Sequence, residues 1–229
     1  MIIFIRFTIV PTNSIEINTS IVIKAIGAAF RNGFAIEFPF TPTNVSAVTG
    51  DSYVTYESDG TNAVVVVFNN AYDIIPRPGD AYVNTDDAET YITPDTISFK
   101  LILSQAQNTT NFTYQAPYNP FLIVNGVRSH EVHLPDYPPT SKADETLFNM
   151  DDDNTNASQG IYYKTSANLP WALHFPENWD HMIEKQQITW GYLGFRDWAE
   201  SQGIDRQDWY KLSGSWGGSE FYLSQETVR

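Results

Sequence analysis

The chain of 229 residues is 42% apolar and 14% aromatic, which is enough apolar surface for a folded core and excludes a disordered protein. Lys and Arg number 13 against 27 Asp and Glu, so the net charge of −14 disfavours nucleic acid and anionic membrane surfaces as partners. The absence of cysteine excludes disulfides, thiolate metal sites and cysteine nucleophiles.

The first ten residues are typical of a strand rather than a signal peptide, because Arg6 and Thr8 interrupt the apolar run and no small-residue cleavage site follows. Alternate side chains form one fully apolar face, so the strand must be buried. It either pairs within its own sheet or completes the sheet of a neighbouring copy. Strand exchange between copies would build a homo-oligomer or filament. No window approaches the roughly 20 apolar residues of a membrane span.

Short apolar runs separated by turn residues follow, at residues 21–26, 34–38, 53–56, 64–68 and 97–103. The run at 64–68 has no polar position, which predicts a central strand covered on both faces. Residues 121–124 and 131–134 flank an Asn125-Gly126 turn and predict a β-hairpin. Several short strands without a helical pattern between them predict an antiparallel β-sandwich or jelly roll.

Residues 69–95 interleave acidic residues with Pro and Gly and predict a long surface loop. Long loops without their own secondary structure are usually functional or mobile. Asp80 and Asp86 are therefore candidate ligand-binding residues. The alternative is a solvated loop without a ligand.

A second acidic stretch contains Asp151, Asp153 and Asn156. Calcium takes six to eight oxygen ligands, which short Asp and Asn loops can supply. The stretch is a candidate calcium site, completed by Asp144 or Asp136 from across the Pro-rich segment. It lacks the Gly and Glu of a helix-loop-helix calcium loop, which excludes that motif, and the alternative is an ordinary solvated Asp turn.

All six tryptophans lie after residue 170. Their spacing predicts a helix over residues 189–201 and a second short helix after Asp205, with core positions at Trp190, Trp198 and Trp209. Trp216 lies in a Gly- and Ser-rich stretch. An exposed indole there could stack on a sugar, or it could close over the core.

No motif for catalysis stands out. The chain has no Gly-x-Ser-x-Gly, no phosphate-binding loop and no dinucleotide fingerprint. His130 and His133 are three residues apart in a strand and should point to opposite faces, which excludes the zinc-protease motif. Carboxylate pairs for glycoside hydrolysis could be chosen freely from 27 acids, so no pair is singled out. The sequence predicts a protein that is not an enzyme, with no catalytic residue.

Several separate blocks resemble the LruC-domain family of bacterial secreted or lipid-anchored surface proteins, whose biochemical role is largely undefined. The blocks are AIGAAFRNGF (25–34), AVVVVFNNAYD (63–73), YNPFLIVN (118–125), EVHLPDYPPT (131–140), YYKT (162–165), NLPWAL (168–173) and WAES (198–201). The resemblance implies an extracellular or cell-surface location. Family members usually carry an Asp-Phe-Asn-Asp segment before the first strand, whereas here the strand begins at Met1 with neither that segment nor a signal peptide. A calcium site that used the segment would need completion by another molecule.

The expected fold is mainly β, an antiparallel, jelly-roll-like β-sandwich with a short C-terminal helical cap. It forms a single LruC-like domain over residues 1–229, with a sandwich core at 1–165 and a Trp-rich cap and C-terminal strand at 166–229. The expected function is a non-enzymatic binding or structural module, stabilised by calcium and self-assembling through its first strand. A carbohydrate-binding module that uses Trp216 and the acidic loops is the alternative, and a hydrolase is less favoured.

Overall fold

The computed structural model describes residues 1–11, 14–77, 82–86, 88–104, 116–175, 179–211 and 222–223. Its strands are β1 (Ile2–Pro11), β2 (Ile15–Ala25), β3 (Gly33–Phe38), β4 (Val45–Gly50), β5 (Thr55–Glu57), β6 (Ala63–Phe68), β7 (Asp95–Leu103), β8 (Asn119–Ile123), β9 (Glu131–His133), β10 (His181–Met182) and β11 (Tyr222–Leu223). Its α-helices are α1 (Ile188–Gly191) and α2 (Phe195–Glu200). Single 3₁₀ turns lie at Pro42–Asn44, Ala71–Asp73, Val124–Gly126, Glu145–Leu147, Ala157–Gln159 and Trp209–Lys211.

Two antiparallel sheets pack face to face and confirm the predicted sandwich. The first sheet has the order β1-β2-β7-β4 and the second the order β5-β6-β3-β8-β9. The short helices follow in the C-terminal part of the chain, where β10 also pairs with β11. None of the helices in the described ranges is long and apolar enough to cross a membrane.

The main core lies between the two sheets. On β2, alternate side chains beginning with Ile15 and Ile17 are buried in it, while those between them are half-buried. β3 and β6 are instead buried at every position. Their outer faces are covered because the chain after β9, residues 134–175, folds back and brings Pro138, Thr140 and Tyr163 against the second sheet. We call residues 134–175 the covering segment. The prediction that residues 64–68 form a strand covered on both faces is confirmed.

The hairpin predicted around Asn125-Gly126 is present as β8 and β9, paired antiparallel from Phe121 opposite His133 to Ile123 opposite Glu131. Asn125 and Gly126 have φ angles of 51° and 72°. This is the left-handed region that Asn and Gly tolerate best. The turn chemistry therefore places Glu131 and His133 beside β8.

The predicted helix over residues 189–201 is wrong as one element, because the chain leaves the helix between α1 and α2. Tyr192 turns inward there and is buried in a cluster of aromatic rings around Trp209. Trp190 is consequently 51% exposed rather than part of the core, whereas Trp209 is buried as predicted. Gly191 and Gly194 are poor helix formers, which makes this break inexpensive.

The acidic loop at 69–95 is not a purely exposed loop in its described parts. Ile75 and Val83 are buried, and Val83 forms a bridge with Ile26 at the end of β2. The Asn84 side chain donates to the carbonyls of Lys24 and Ile92. Apolar residues at intervals within an acidic stretch thus tie the loop to the core.

Gly33 lies where β3 closely approaches the end of β6, and a substitution there tests this packing. A Cβ there would lie 2.7 Å from the Phe68 carbonyl oxygen and 2.9 Å from that of Asn69, and backbone cannot move aside easily. We expect Gly33→Ala to lower the free energy of unfolding by about 1–3 kcal/mol in chemical denaturation. Gly60→Ala is the control, since Ser141 Oγ at 3.2 Å is the nearest atom to its added Cβ. Equal denaturation midpoints for the two variants would contradict this packing.

Candidate functional site

Charged side chains are buried on the outer face of the second sheet. Strand alternation and register place Glu37 opposite Asn119, and His133 opposite Phe121, on this face. The side chains of Glu131 and His133 are both 0% exposed. Burying ionisable groups is costly unless each is paired and hydrogen-bonded. We call the connected set the buried polar network: Glu37, Glu57, Asn119, Arg128, Glu131, His133 and Thr140.

Glu131 lies at the centre of the network and accepts four hydrogen bonds. Its Oε1 contacts Arg128 Nη1 and accepts from the Thr140 hydroxyl. Its Oε2 accepts from the Thr140 backbone N–H at 2.9 Å and contacts His133 Nε2 at 2.8 Å. The donors come from the β8–β9 loop, from β9 itself and from the covering segment. Glu131 therefore binds the covering segment to the sheet.

Arg128 spans the face of the second sheet. Its guanidinium lies over the Phe121 ring, 5.0 Å from the centroid, and makes a two-pronged contact with Glu57 on β5. The Nε–Oε1 and Nη2–Oε2 distances are both 2.9 Å. Lys142 adds a second cation, 3.3 Å from Glu57 and 2.7 Å from the exposed Asp59. Arg128 thus connects β5 and β9, the strands at the two edges of the second sheet.

The position of a proton between His133 and Glu131 follows from Asn119. The Asn119 Nδ2 donates to Glu37 Oε2 at 2.8 Å and to the Pro138 carbonyl at 3.0 Å, so its Oδ1 faces His133 Nδ1 and accepts from it at 2.6 Å. Because Nδ1 of His133 already carries a proton, the hydrogen bond between Nε2 and Glu131 Oε2 requires a second proton on one of these two atoms. His133 and Glu131 therefore share a proton, and its loss would leave two acceptors facing each other.

Opposing effects set the pKa values of these groups. Burial alone would raise the pKa of Glu131, but hydrogen bonds from His133 and Thr140 outweigh it and hold the pKa below the usual range. Burial raises the pKa of Glu37 against hydrogen bonds from Asn119 and Asn62. Burial and the hydrogen bonds of the network, rather than contact with solvent, therefore determine these pKa values.

Tyr163 connects the network to the protein surface. Its buried ring stacks on His133 with 5.0 Å between centroids, and its backbone carbonyl accepts from the Trp171 N–H at 3.0 Å. Tyr163 has a φ of 52°, which is rare for an aromatic residue and persists only where surrounding contacts enforce it. Burial raises the pKa of its hydroxyl. The aromatic stack thereby places Trp171 relative to the sheet.

Trp171 is 45% exposed, yet its indole is held in place. The Nε1–H donates to Asp153 Oδ1 at 3.0 Å, and Asp153 Oδ2 accepts from the backbone N–H groups of Asn149 and Thr155 at 3.0 and 3.2 Å. Burial raises the pKa of Asp153, but these hydrogen bonds hold it below the usual range. Trp171 is therefore an exposed aromatic surface with a fixed orientation.

Four of the five predicted calcium ligands have other partners. Asp136 pairs with Lys164 at 2.8 Å, Asp144 accepts from the Thr146 N–H, and Asp153 holds Trp171. Asn156 accepts from Ser158, and Asp151 is exposed with a φ of 50°. Over the described ranges, no group of three or more His, Asp or Glu side chains is placed to hold a metal ion. Calcium binding stays a prediction, to which these contacts add no support.

Of the predicted ligand-binding residues, Trp216 and Asp80 lie outside the described residues. Asp86 is half-buried, and its Oδ1 accepts from the Ala88 N–H. That bond belongs to a local turn. Asp86 as a ligand-binding residue stays a prediction.

Comparison with known proteins places the chain in a family. Residues 13–210 match the family described as "Domain of unknown function (DUF4842)". The chain belongs to the DUF4842 family. No curated protein matches it significantly in sequence.

This DUF4842 domain shares its fold with a solved structure. The crystal structure of a "Putative lipoprotein" from Bacteroides ovatus superposes with a TM-score of 0.66 at 16% sequence identity. The alignment covers 92% of this chain and 64% of that one. The DUF4842 chain therefore matches just under two thirds of its neighbour's length.

The residues of the buried polar network and Trp171 have only weak signals in the sequence. Glu131 and His133 are two residues apart in a strand, a spacing that places both side chains on one face. Glu37 is the one acidic residue in β3. Trp171 follows Pro170 in a stretch without periodicity, and only the folded chain shows that Asp153 holds its indole.

Removal of the arginine should destabilise the domain strongly. Arg128→Met leaves Glu57 and Glu131 without their shared cation in a partly buried site, and we expect a loss of about 3–5 kcal/mol in chemical denaturation. Lys142→Met is the control, with an expected loss of at most about 1 kcal/mol, because Asp59, the carboxylate nearest to Lys142, is exposed to solvent. Similar losses for both variants would contradict the central position of Arg128.

The lowered pKa of Glu131 predicts a pH dependence. A carboxyl whose folded-state pKa lies below its unfolded value of 4.5 contributes stability that is present above pH 4.5 and is lost as the pH falls through the folded pKa. The difference in melting temperature between wild type and Glu131→Gln should therefore be largest near neutral pH and shrink below pH 4.5. A difference that grew on acidification would contradict the direction of the shift.

Proposed function

We propose that this DUF4842 protein is a non-enzymatic module of the bacterial cell surface that binds saccharide chains at Trp171. Trp171 carries the proposal, since its indole is exposed and oriented by Asp153 before any ligand arrives. A fixed aromatic ring contributes apolar contact area with little loss of side-chain entropy on binding. The exposed Asp151 and Asp152, next to Asp153 in the chain, provide carboxylate acceptors for sugar hydroxyls.

The contacts of the buried polar network support a structural role for the groups that catalysis would need. Glu131 and His133 are enclosed, and their polar atoms are bonded to other protein groups. A general acid or base must reach the proton it transfers. A buried, fully bonded carboxylate instead favours holding the covering segment in place.

A surface location is supported by two similarities. The LruC-domain resemblance implies secreted or lipid-anchored proteins, and the neighbour of the same fold is described as a "Putative lipoprotein". We extend both to this chain as part of the proposal. Calcium stabilisation and a second sugar contact at Trp216 are separate parts of the proposal.

A glycan array tests the proposal. Wild type should bind a subset of bacterial or host saccharides, and Trp171→Ala should weaken that binding at least about tenfold, or roughly 1.4 kcal/mol. Trp190→Ala is the matched control, because Trp190 is 51% exposed on a different part of the chain, and it should bind as wild type does. Trp216→Ala in the same array tests the second contact, and added calcium or EDTA tests the cation.

The saccharide proposal is wrong if wild type binds no glycan, or if Trp171→Ala and Trp190→Ala weaken binding equally. A hydrolase would release new reducing ends from a bound saccharide. We expect none after prolonged incubation, and measurable release that depends on an acidic residue would replace the binding proposal by an enzymatic one.

A further inference from the structure

β1 is an edge strand with one side unpaired in the described part of the chain. It runs for ten residues, Ile2–Pro11, and β2 is the only described strand that pairs with it. Its other edge presents a row of backbone N–H and C=O groups. Natural proteins usually shorten, charge or cover such edges, since a long apolar edge strand is a template for pairing with another chain.

The inner face of β1 extends the core to this edge. Ile3, Ile5, Phe7 and Ile9 pack against the main core but stay only half-buried. Across the strand pair, Ile17, Ile21 and Ile23 of β2 are fully buried. The apolar core therefore reaches an edge that no described strand closes, and further sheet added at β1 would bury the remaining apolar surface.

The charge of β1 differs from that of the whole chain. The protein carries a net charge of −14, yet Ile2–Pro11 contains no acidic residue, and Arg6 is its single charged side chain. Arg6 is exposed on the outer face, as are Phe4 and Thr8. Two copies that approach edge to edge thus meet where each has the least negative charge along a strand.

We propose that β1 pairs antiparallel with β1 of a second copy around a two-fold axis perpendicular to the sheet. This axis reverses the strand direction and keeps both inner faces on the same side, so the two first sheets become one continuous sheet. The contact is isologous and closed. It gives a dimer, unlike the head-to-tail filament expected from strand exchange, because β1 already pairs with β2 of its own chain.

The single charge selects the register. Pairing centred on Arg6 would place two arginines opposite each other, and like charges in directly opposed positions destabilise a sheet. Centring on Phe7 instead places Arg6 opposite the partner's Thr8 and Ile5 opposite the partner's Ile9. It also overlaps nearly the whole strand. This register satisfies the free edge and brings the two half-buried inner faces together.

Sedimentation velocity over a range of protein concentrations tests the dimer. Wild type should show a monomer–dimer equilibrium that shifts toward dimer with added salt, because salt screens the repulsion between two highly negative chains. Thr8→Lys places two like-charge pairs at the two-fold contact and should raise the dissociation constant about tenfold. Thr49→Lys is the control, since Thr49 is also exposed but lies on β4 at the opposite edge of the sheet.

Hydrogen exchange gives a second, independent measurement on the unaltered protein. Alternate amides of β1 face away from β2, and their protection should rise with protein concentration while that of β7 stays constant. A monomer at all concentrations with these amides unprotected would overturn the proposal, as would a dimer weakened equally by Thr49→Lys. Filaments in place of a dimer would also overturn it. Neither measurement involves Trp171, so the result stands apart from that of the glycan array.

Discussion

The packing of the covering segment on the second sheet depends on the carboxylate of Glu131. Removing a charge from water costs several kcal/mol, so an enclosed carboxylate is tolerable only when every partner is in place. Its partners come from the β8–β9 loop, β9 and the covering segment, and Arg128 extends the chain of contacts to Glu57 on β5. The contacts close only when the strand order β5-β6-β3-β8-β9 has formed and the covering segment brings Thr140 to Glu131. Buried polar groups of this kind select one arrangement among many compact alternatives.

The position of the exposed Trp171 depends indirectly on the same contacts. Its backbone is bonded to Tyr163, whose ring stacks on His133, and its indole is bonded to Asp153. The covering segment reaches this arrangement through several left-handed residues, mostly Asn and Asp: Asp136, Asn149, Asp151, Tyr163 and Asn168. These conformations let residues 134–175, which contain no strand of their own, fold tightly over a sheet. A change at Glu131 should therefore alter the order of a surface residue that it does not touch.

The structural features that the sequence predicted correctly are those whose patterns lie within a few neighbouring residues. The sandwich, the doubly covered strand at 64–68 and the Asn125-Gly126 hairpin follow from alternation, apolar runs and turn chemistry, which act within a few residues. The single helix at 189–201 and a core position for Trp190 were wrong, because burial of Tyr192 in the aromatic cluster outweighed helical periodicity. The buried polar network was not foreseen. Glu57, Arg128 and Thr140 are far apart in the chain, and no spacing rule connects them.

The buried polar network holds the covering segment on the second sheet through Glu131 and Thr140. Hydrogen–deuterium exchange of Glu131→Gln, compared with wild type under conditions where both are folded, measures this connection. We expect amides within residues 134–175 to lose protection while those of β2 and β7 keep it. Unchanged protection in the covering segment, or an equal loss over both sheets, would contradict this role of the network.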